Sequence, residues 1–118
     1  MTERSLIEFY IKQLKRNLAA GHFVFINRKK NLYALSMLGF TEKDVLDVLM
    51  QLEIKNYSSG PLEDESTHGN DVWIFGTRFE GTDLYIKLTL AQEIGKTMQT
   101  IVISFHEAKY PLTFPYGD

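Results

Sequence analysis

The hydrophobic pattern of this chain is mainly helical in its first half and strand-like in its second, and that shift limits the fold more than any other feature. Through residues 5–19 the apolar side chains Leu6, Ile7, Tyr10, Ile11, Leu14 and Leu18 recur at the i, i+3/i+4, i+7 spacing of one helical face. From 84 to 90 the period is two: Leu84, Ile86, Leu88 and Leu90 alternate with Tyr85, Lys87 and Thr89, as in a strand with one dry face. Helical patterns come first and strand patterns follow. This order predicts an α+β fold in which N-terminal helices pack on one face of an antiparallel β-meander.

Thr2 or Ser5 can cap the first helix, and Gly21 ends it. Residues 22–26, short, aromatic and β-branched, read as a strand. A second helix spans 29–38 and stops at Gly39. Thr41 caps a third that runs through Leu52, with Asp44 completing a capping box. Residues 56–71, polar and broken by Gly60, Pro61 and Gly69, read as a long loop. Strands at 72–79 and 84–90 are joined by the four-residue turn Glu80-Gly81-Thr82-Asp83. A connection containing Ile94, Gly95, Lys96 and Thr97 leads to the last strand, 99–106. Links this short favour antiparallel neighbours. The tail, with Pro111 and Pro115, reads as extended chain laid against the body, so residues 1–118 form a single domain with 109–118 as its tail.

The 118 residues contain no cysteine, which excludes disulfides, thiol catalysis and thiolate zinc sites. No apolar run approaches the roughly 20 residues that span a bilayer, and the charged N-terminus lacks the apolar core of a secretory signal. A cytoplasmic protein without membrane partners is expected. The formal net charge of −2 conceals an asymmetry. Residues 1–30 carry Arg4, Lys12, Lys15, Arg16, Arg28, Lys29 and Lys30 against only Glu3 and Glu8, while acidic groups outnumber basic ones in the remainder. A basic third can face phosphate or can simply be solvated helix surface.

The alternation also predicts which side chains share the open face of the sheet. Pairing Phe79 with Leu84 across a four-residue turn sets Arg78 opposite Tyr85. Placing Ile101, Ile103 and Phe105 in the core leaves Thr100, Val102, Ser104 and His106 on the other side. The open face then carries Arg78, Tyr85, Lys87, Ser104 and His106. Two cations can hold a phosphate, and a tyrosine and a histidine can move protons near neutrality. These groups suit RNA cleavage in which the substrate's own 2′-hydroxyl attacks the adjacent phosphate, a reaction that needs no metal. The same residues would equally form the wet face of a half-buried sheet. His22, His68 and His106 have no metal-ligand spacing, and Glu63, Asp64 and Glu65 read either as a cation site or as a solvated run of charge. No cofactor is expected. Trp73 and Phe75 should reach the core.

Four blocks in order then carry a family resemblance: Asn56-Tyr57-Ser58-Ser59-Gly60-Pro61, Trp73-Ile74-Phe75-Gly76, Tyr85-Ile86-Lys87-Leu88 and Ser104-Phe105-His106-Glu107-Ala108. With Leu38-Gly39 before a capped helix, they resemble the MqsR-like toxins of bacterial type II toxin–antitoxin pairs, over nearly the whole chain from about residue 10. The resemblance implies a RelE-like, microbial-ribonuclease-like fold and an mRNA endoribonuclease (mRNA interferase) activity. It also implies neutralisation by a cognate antitoxin with a zinc-binding part and a helix-turn-helix part. Its strand tyrosine carries over to Tyr85, and its lysine after the final Ser-Phe becomes His106. The loop lysine becomes Ser59, after Ser58 in place of an aromatic, and the glutamine position falls near Val72. The resemblance and the strand-face reading together give a candidate site of Tyr85, His106 and Lys87 for catalysis, with Arg78 and Ser59 on RNA phosphate. The alternative is a non-catalytic protein-binding module that keeps the toxin fold. An adjacent exposed strand edge, at 22–26 or in the 56–71 segment, is the expected place for a partner.

Overall fold

A computed structural model describes residues 2–64, 67, 69–91 and 97–117. Glu65 of the acidic run, His68, and Ile94, Gly95 and Lys96 of the last connection lie outside the described residues. The elements run α1 (Arg4–Ala19), β1 (Phe23–Phe25), α2 (Lys29–Leu38), α3 (Glu42–Met50), β2 (Tyr57–Leu62), β3 (Val72–Phe79), β4 (Thr82–Ala91) and β5 (Gln99–Glu107). The five strands form one sheet in the order β1-β5-β4-β3-β2. All neighbours are antiparallel except β1, which lies parallel to β5. The expected α+β architecture is what the chain adopts.

Helix boundaries follow local chemistry closely. Gly39 ends α2 in the left-handed region at φ 70°, which costs glycine little and an L side chain much. At α3 the Thr41 and Asp44 side chains form the expected capping box, although the helix stops at Met50 rather than Leu52. Neither Thr2 nor Ser5 caps α1. Glu3 holds that position without a side-chain bond, and the Thr2 hydroxyl instead donates to the Gly60 carbonyl.

Ile7, Tyr10, Ile11 and Leu14 of α1, with Val45 and Leu49 of α3, pack on Trp73, Phe75, Leu84, Ile86, Leu88, Val102 and Phe105. Each fully buried aliphatic or aromatic side chain contributes about 1.5–3 kcal/mol. Tyr10 stacks on Trp73 with ring centroids 4.1 Å apart. Asn17 of α1 donates to the buried Thr100 hydroxyl at 3.3 Å, which fastens the helix layer to β5.

Four expectations are corrected. The β3–β4 turn has two residues, Glu80-Gly81, because Phe79 pairs with Thr82; Glu80 and Gly81 both take positive φ, as a tight hairpin of this kind requires. Arg78 is therefore opposite Asp83, and Gly76 is opposite Tyr85. Next, β5 carries a bulge: Ser104 pairs with Lys87 and Val102 with Leu88, so Ile103 is an extra residue. An inserted residue inverts the alternation beyond it. Val102 consequently enters the core, Thr100 faces α1, and Ile101 lies opposite Thr89 on the other face. Ile103 is buried but stands outside the main core cluster. Last, residues 57–62 of the anticipated loop form β2, an irregular edge strand with two register shifts on β3. An edge position tolerates Pro61. A Cβ on Gly60 would stand 2.9 Å from the Trp73 backbone, so only glycine lets these strands approach so closely.

Candidate functional site

The face of the sheet away from α1 and α3 is built on two rungs. One joins Gly76, Tyr85 and His106 across β3, β4 and β5. The other joins Ser59, Ile74, Lys87 and Ser104 across β2 to β5. Because Leu84, Ile86 and Leu88 are in the core, the pleat sets Tyr85 and Lys87 on this opposite face.

On the first rung Tyr85 and His106 are direct cross-strand partners. Their rings stack with centroids 5.4 Å apart and planes 21° from parallel. His106 Nδ1 lies 3.0 Å from the Glu107 carbonyl oxygen. A carbonyl only accepts, so in the neutral ring Nδ1 carries the proton and Nε2 keeps its lone pair. Both residues are half-exposed. They form the floor of a hollow of about 310 Å³, whose walls are Lys109, Tyr110, Pro111 and Leu112 of the tail. The tail continues over the sheet: Phe114 comes within 2.9 Å of where a Gly76 Cβ would be. A larger residue at Gly76 would push the tail off its seat.

The second rung is electrostatically different. The Lys87 ammonium pairs with Asp64, which β2 and its following segment bring over the sheet, and both side chains are largely withdrawn from solvent. At the far end of the rung the Arg28 guanidinium donates to the Ser104 hydroxyl at 3.3 Å and to the Ile103 carbonyl at 3.4 Å. Asn31, fully buried, completes this junction. Its amide donates to the carbonyls of Ile26 and Ile103, and its oxygen accepts from the Phe105 N–H. The carbonyl of the bulge residue is thus satisfied by α2, and the turn of β5 that carries His106 is held by side-chain bonds where β1 has ended.

The structure therefore brings Tyr85 and His106 together, sets Lys87 on the neighbouring rung with its charge already matched, and separates the other two candidates. Arg78 stands on the same face but pairs with Asp83 at 3.5 Å, in a largely exposed contact worth little. Ser59 is two strands from Lys87, about 10 Å at ordinary strand spacing. Val72, at the family's glutamine position, is buried. Arg28 and Lys109 were not anticipated. The first was visible only as one of several cations in a basic third, and the second only as a charge in a proline-rich tail.

A helix-backed, mostly antiparallel sheet whose other face carries a stacked phenol and imidazole under a hollow walled by the tail defines a small α+β protein. A sequence profile described as "Motility quorum-sensing regulator, toxin of MqsA" matches residues 8–107, and the chain belongs to this MqsR toxin family. MqsR is the toxin partner of MqsA. No curated protein and no solved structure was found to match the chain. Among the described residues, no helix is long and apolar enough to cross a membrane.

Proposed function

We propose that this chain is an endoribonuclease toxin that cleaves mRNA in the cytoplasm through the substrate's own 2′-hydroxyl, and that a cognate antitoxin neutralises it. The observation that supports this most directly is the stacked Tyr85–His106 pair on the open face. His106 Nε2 takes the 2′-hydroxyl proton as that oxygen attacks the adjacent phosphorus. The bond from phosphorus to the 5′-oxygen breaks, and Tyr85 delivers a proton to the departing oxygen. The products are a 2′,3′-cyclic phosphate and a 5′-hydroxyl. Because the nucleophile belongs to the substrate, no metal-bound water is needed. Lys109, in the wall of the hollow over the pair, offsets the charge that develops on phosphate. Arg28, Lys87 and Arg78 contribute less, because Arg28 is engaged by Ser104 and the Ile103 carbonyl and the other two each face a carboxylate. Ser59 contacts the strand only at a distance from the reacting bond.

Pairing with an antitoxin follows from the family, whose name-giving toxin partners MqsA. The two edges of the sheet, β1 and β2, are the places where a partner strand can add. Thr2 bonds to Gly60 on β2, so β1 is the less encumbered edge.

The Lys87–Asp64 pair and Ser59 in place of the family's lysine favour a second reading, a protein-binding module that keeps the toxin fold without cleavage. Expression in a bacterium separates the two. Under the nuclease reading the wild type arrests growth, leaves transcripts with 2′,3′-cyclic phosphate ends, and does neither as the Tyr85→Phe/His106→Ala double variant. Arrest that persists unchanged in the double variant would give the case to the binding module.

A further inference from the structure

Beyond the Tyr85–His106 pair, α2 presents a stripe that the described residues leave largely exposed. Asn31 and Ala34 are buried, and Leu35 and Leu38 pack on the core. Lys30, Tyr33 and Met37 stand beside that seam at i, i+3 and i+7, which is one helical face. Tyr33 is 67% exposed and Met37 68% exposed, and one turn apart on one helical face they form a contiguous patch rather than scattered exposures. They border a hollow of about 470 Å³ that also touches His106 and Lys109. Those same two residues line the hollow over Tyr85, so the two depressions meet at His106.

We propose that this α2 face is the seat of the single-stranded RNA next to the scissile phosphate, with Tyr33 and Met37 stacking on a base and Lys30 and Lys109 holding its phosphates. The proposal rests on the ribonuclease reading. A polymer cut at Tyr85–His106 must continue past the reacting bond, and this hollow is continuous with that point. Its composition fits the polymer: an aromatic ring and a thioether between the Lys30 and Lys109 ammonium groups. Stacking on such platforms tolerates any base, while the cations follow the backbone. Glu107 is the one carboxylate in the hollow, against Lys30 and Lys109, and the balance remains cationic. An antitoxin is the other candidate occupant.

Binding of a short fluorescein-labelled single-stranded RNA carrying 2′-fluoro groups, which lacks the nucleophile, tests the seat apart from the chemistry. Tyr33→Ala should weaken binding about 10-fold, and Tyr33→Trp should restore it. Lys30→Ala should flatten the dependence of affinity on salt. With cleavable RNA, Tyr33→Ala should raise KM in proportion and leave kcat unchanged. These side chains are exposed, so melting curves should coincide with the wild type. Equal RNA affinity of Tyr33→Ala and wild type, with wild-type cleavage intact, overturns the seat and spares the nuclease. Loss of antitoxin binding by Tyr33→Ala without loss of RNA binding also overturns it, since the face would then be a protein interface. A wild type that neither binds nor cleaves RNA overturns both readings.

Discussion

Two neighbouring rungs of one sheet face, built by the same alternation, have been put to opposite uses. Tyr85 and His106 stack over an open hollow, whereas Lys87 and Ser104, the next pair along, are closed in by Asp64 and Arg28. The pleat decides which face a side chain takes. Segments from elsewhere in the chain decide whether it is available there. A lysine in a favourable position on a strand is therefore not yet a phosphate-binding lysine.

The largest test of this contrast removes the open rung. His106→Ala and Tyr85→Phe should each slow RNA cleavage about 10²-fold or more, with circular dichroism unchanged, because neither side chain fills the core. A smaller effect of either substitution would mean that the rung is open but idle. Asn31→Ala strikes what holds the His106 segment in place. It orphans the Phe105 N–H and removes two bonds to carbonyls, so urea denaturation should report a loss of about 2 kcal/mol or more.

The closed rung should respond more weakly. Lys87→Ala should lower cleavage less than about 10-fold, since Asp64 has already offset its charge, and the salt dependence should barely move. Asp64→Asn should act in the other direction, steepening the salt dependence by freeing an ammonium. Equal losses in Lys87→Ala and His106→Ala would erase the distinction between the rungs.

The smallest expected effect compares two tyrosines. Tyr85 meets a hollow, while the Tyr10 hydroxyl is buried with no hydrogen-bond partner among the described residues, and burial pushes its phenol far above the ordinary value of 10.0. The folded state thus resists ionising Tyr10. Its contribution is fully present below pH 10 and is lost as pH rises further, because the unfolded chain ionises first. Tyr10→Phe should leave stability within about 1 kcal/mol of the wild type at neutrality and flatten its decline at alkaline pH.

Much of this arrangement was legible in the residues. The helix limits at Gly39 and Thr41 and the strict alternation of β4 are local, so the sequence carries them directly. Tyr85 and Lys87 fall on the expected face for that reason, and His106 does so because the bulge in β5 lies before it. Three things were not local. The turn length hung on whether Thr82 and Asp83 belong to the turn or the strand, and both residues suit either. The carbonyl displaced by the bulge at Ile103 is met by the Asn31 amide, which donates to it from 72 positions earlier. Strand β2, with glycine and proline inside it, has the composition of a loop and is a strand only because β3 supplies a partner. The pairing of Asp64 with Lys87 and the reach of Arg28 to Ser104 are likewise tertiary facts, which spacing does not encode.

The parallel pairing of β1 with β5 has a consequence in time. Phe23 lies beside Thr100, so the earliest strand waits for the last one, which enters the sheet between β1 and β4. A ribosome delivers residues in order, a few to a few tens each second. Until β5 emerges, Asn17 lacks Thr100, Asn31 has no strand to bridge, and Tyr85 has no imidazole to face. A nascent chain is thus unarmed through most of its own synthesis, and the proposed cleaving pair comes into being only with the closing strand.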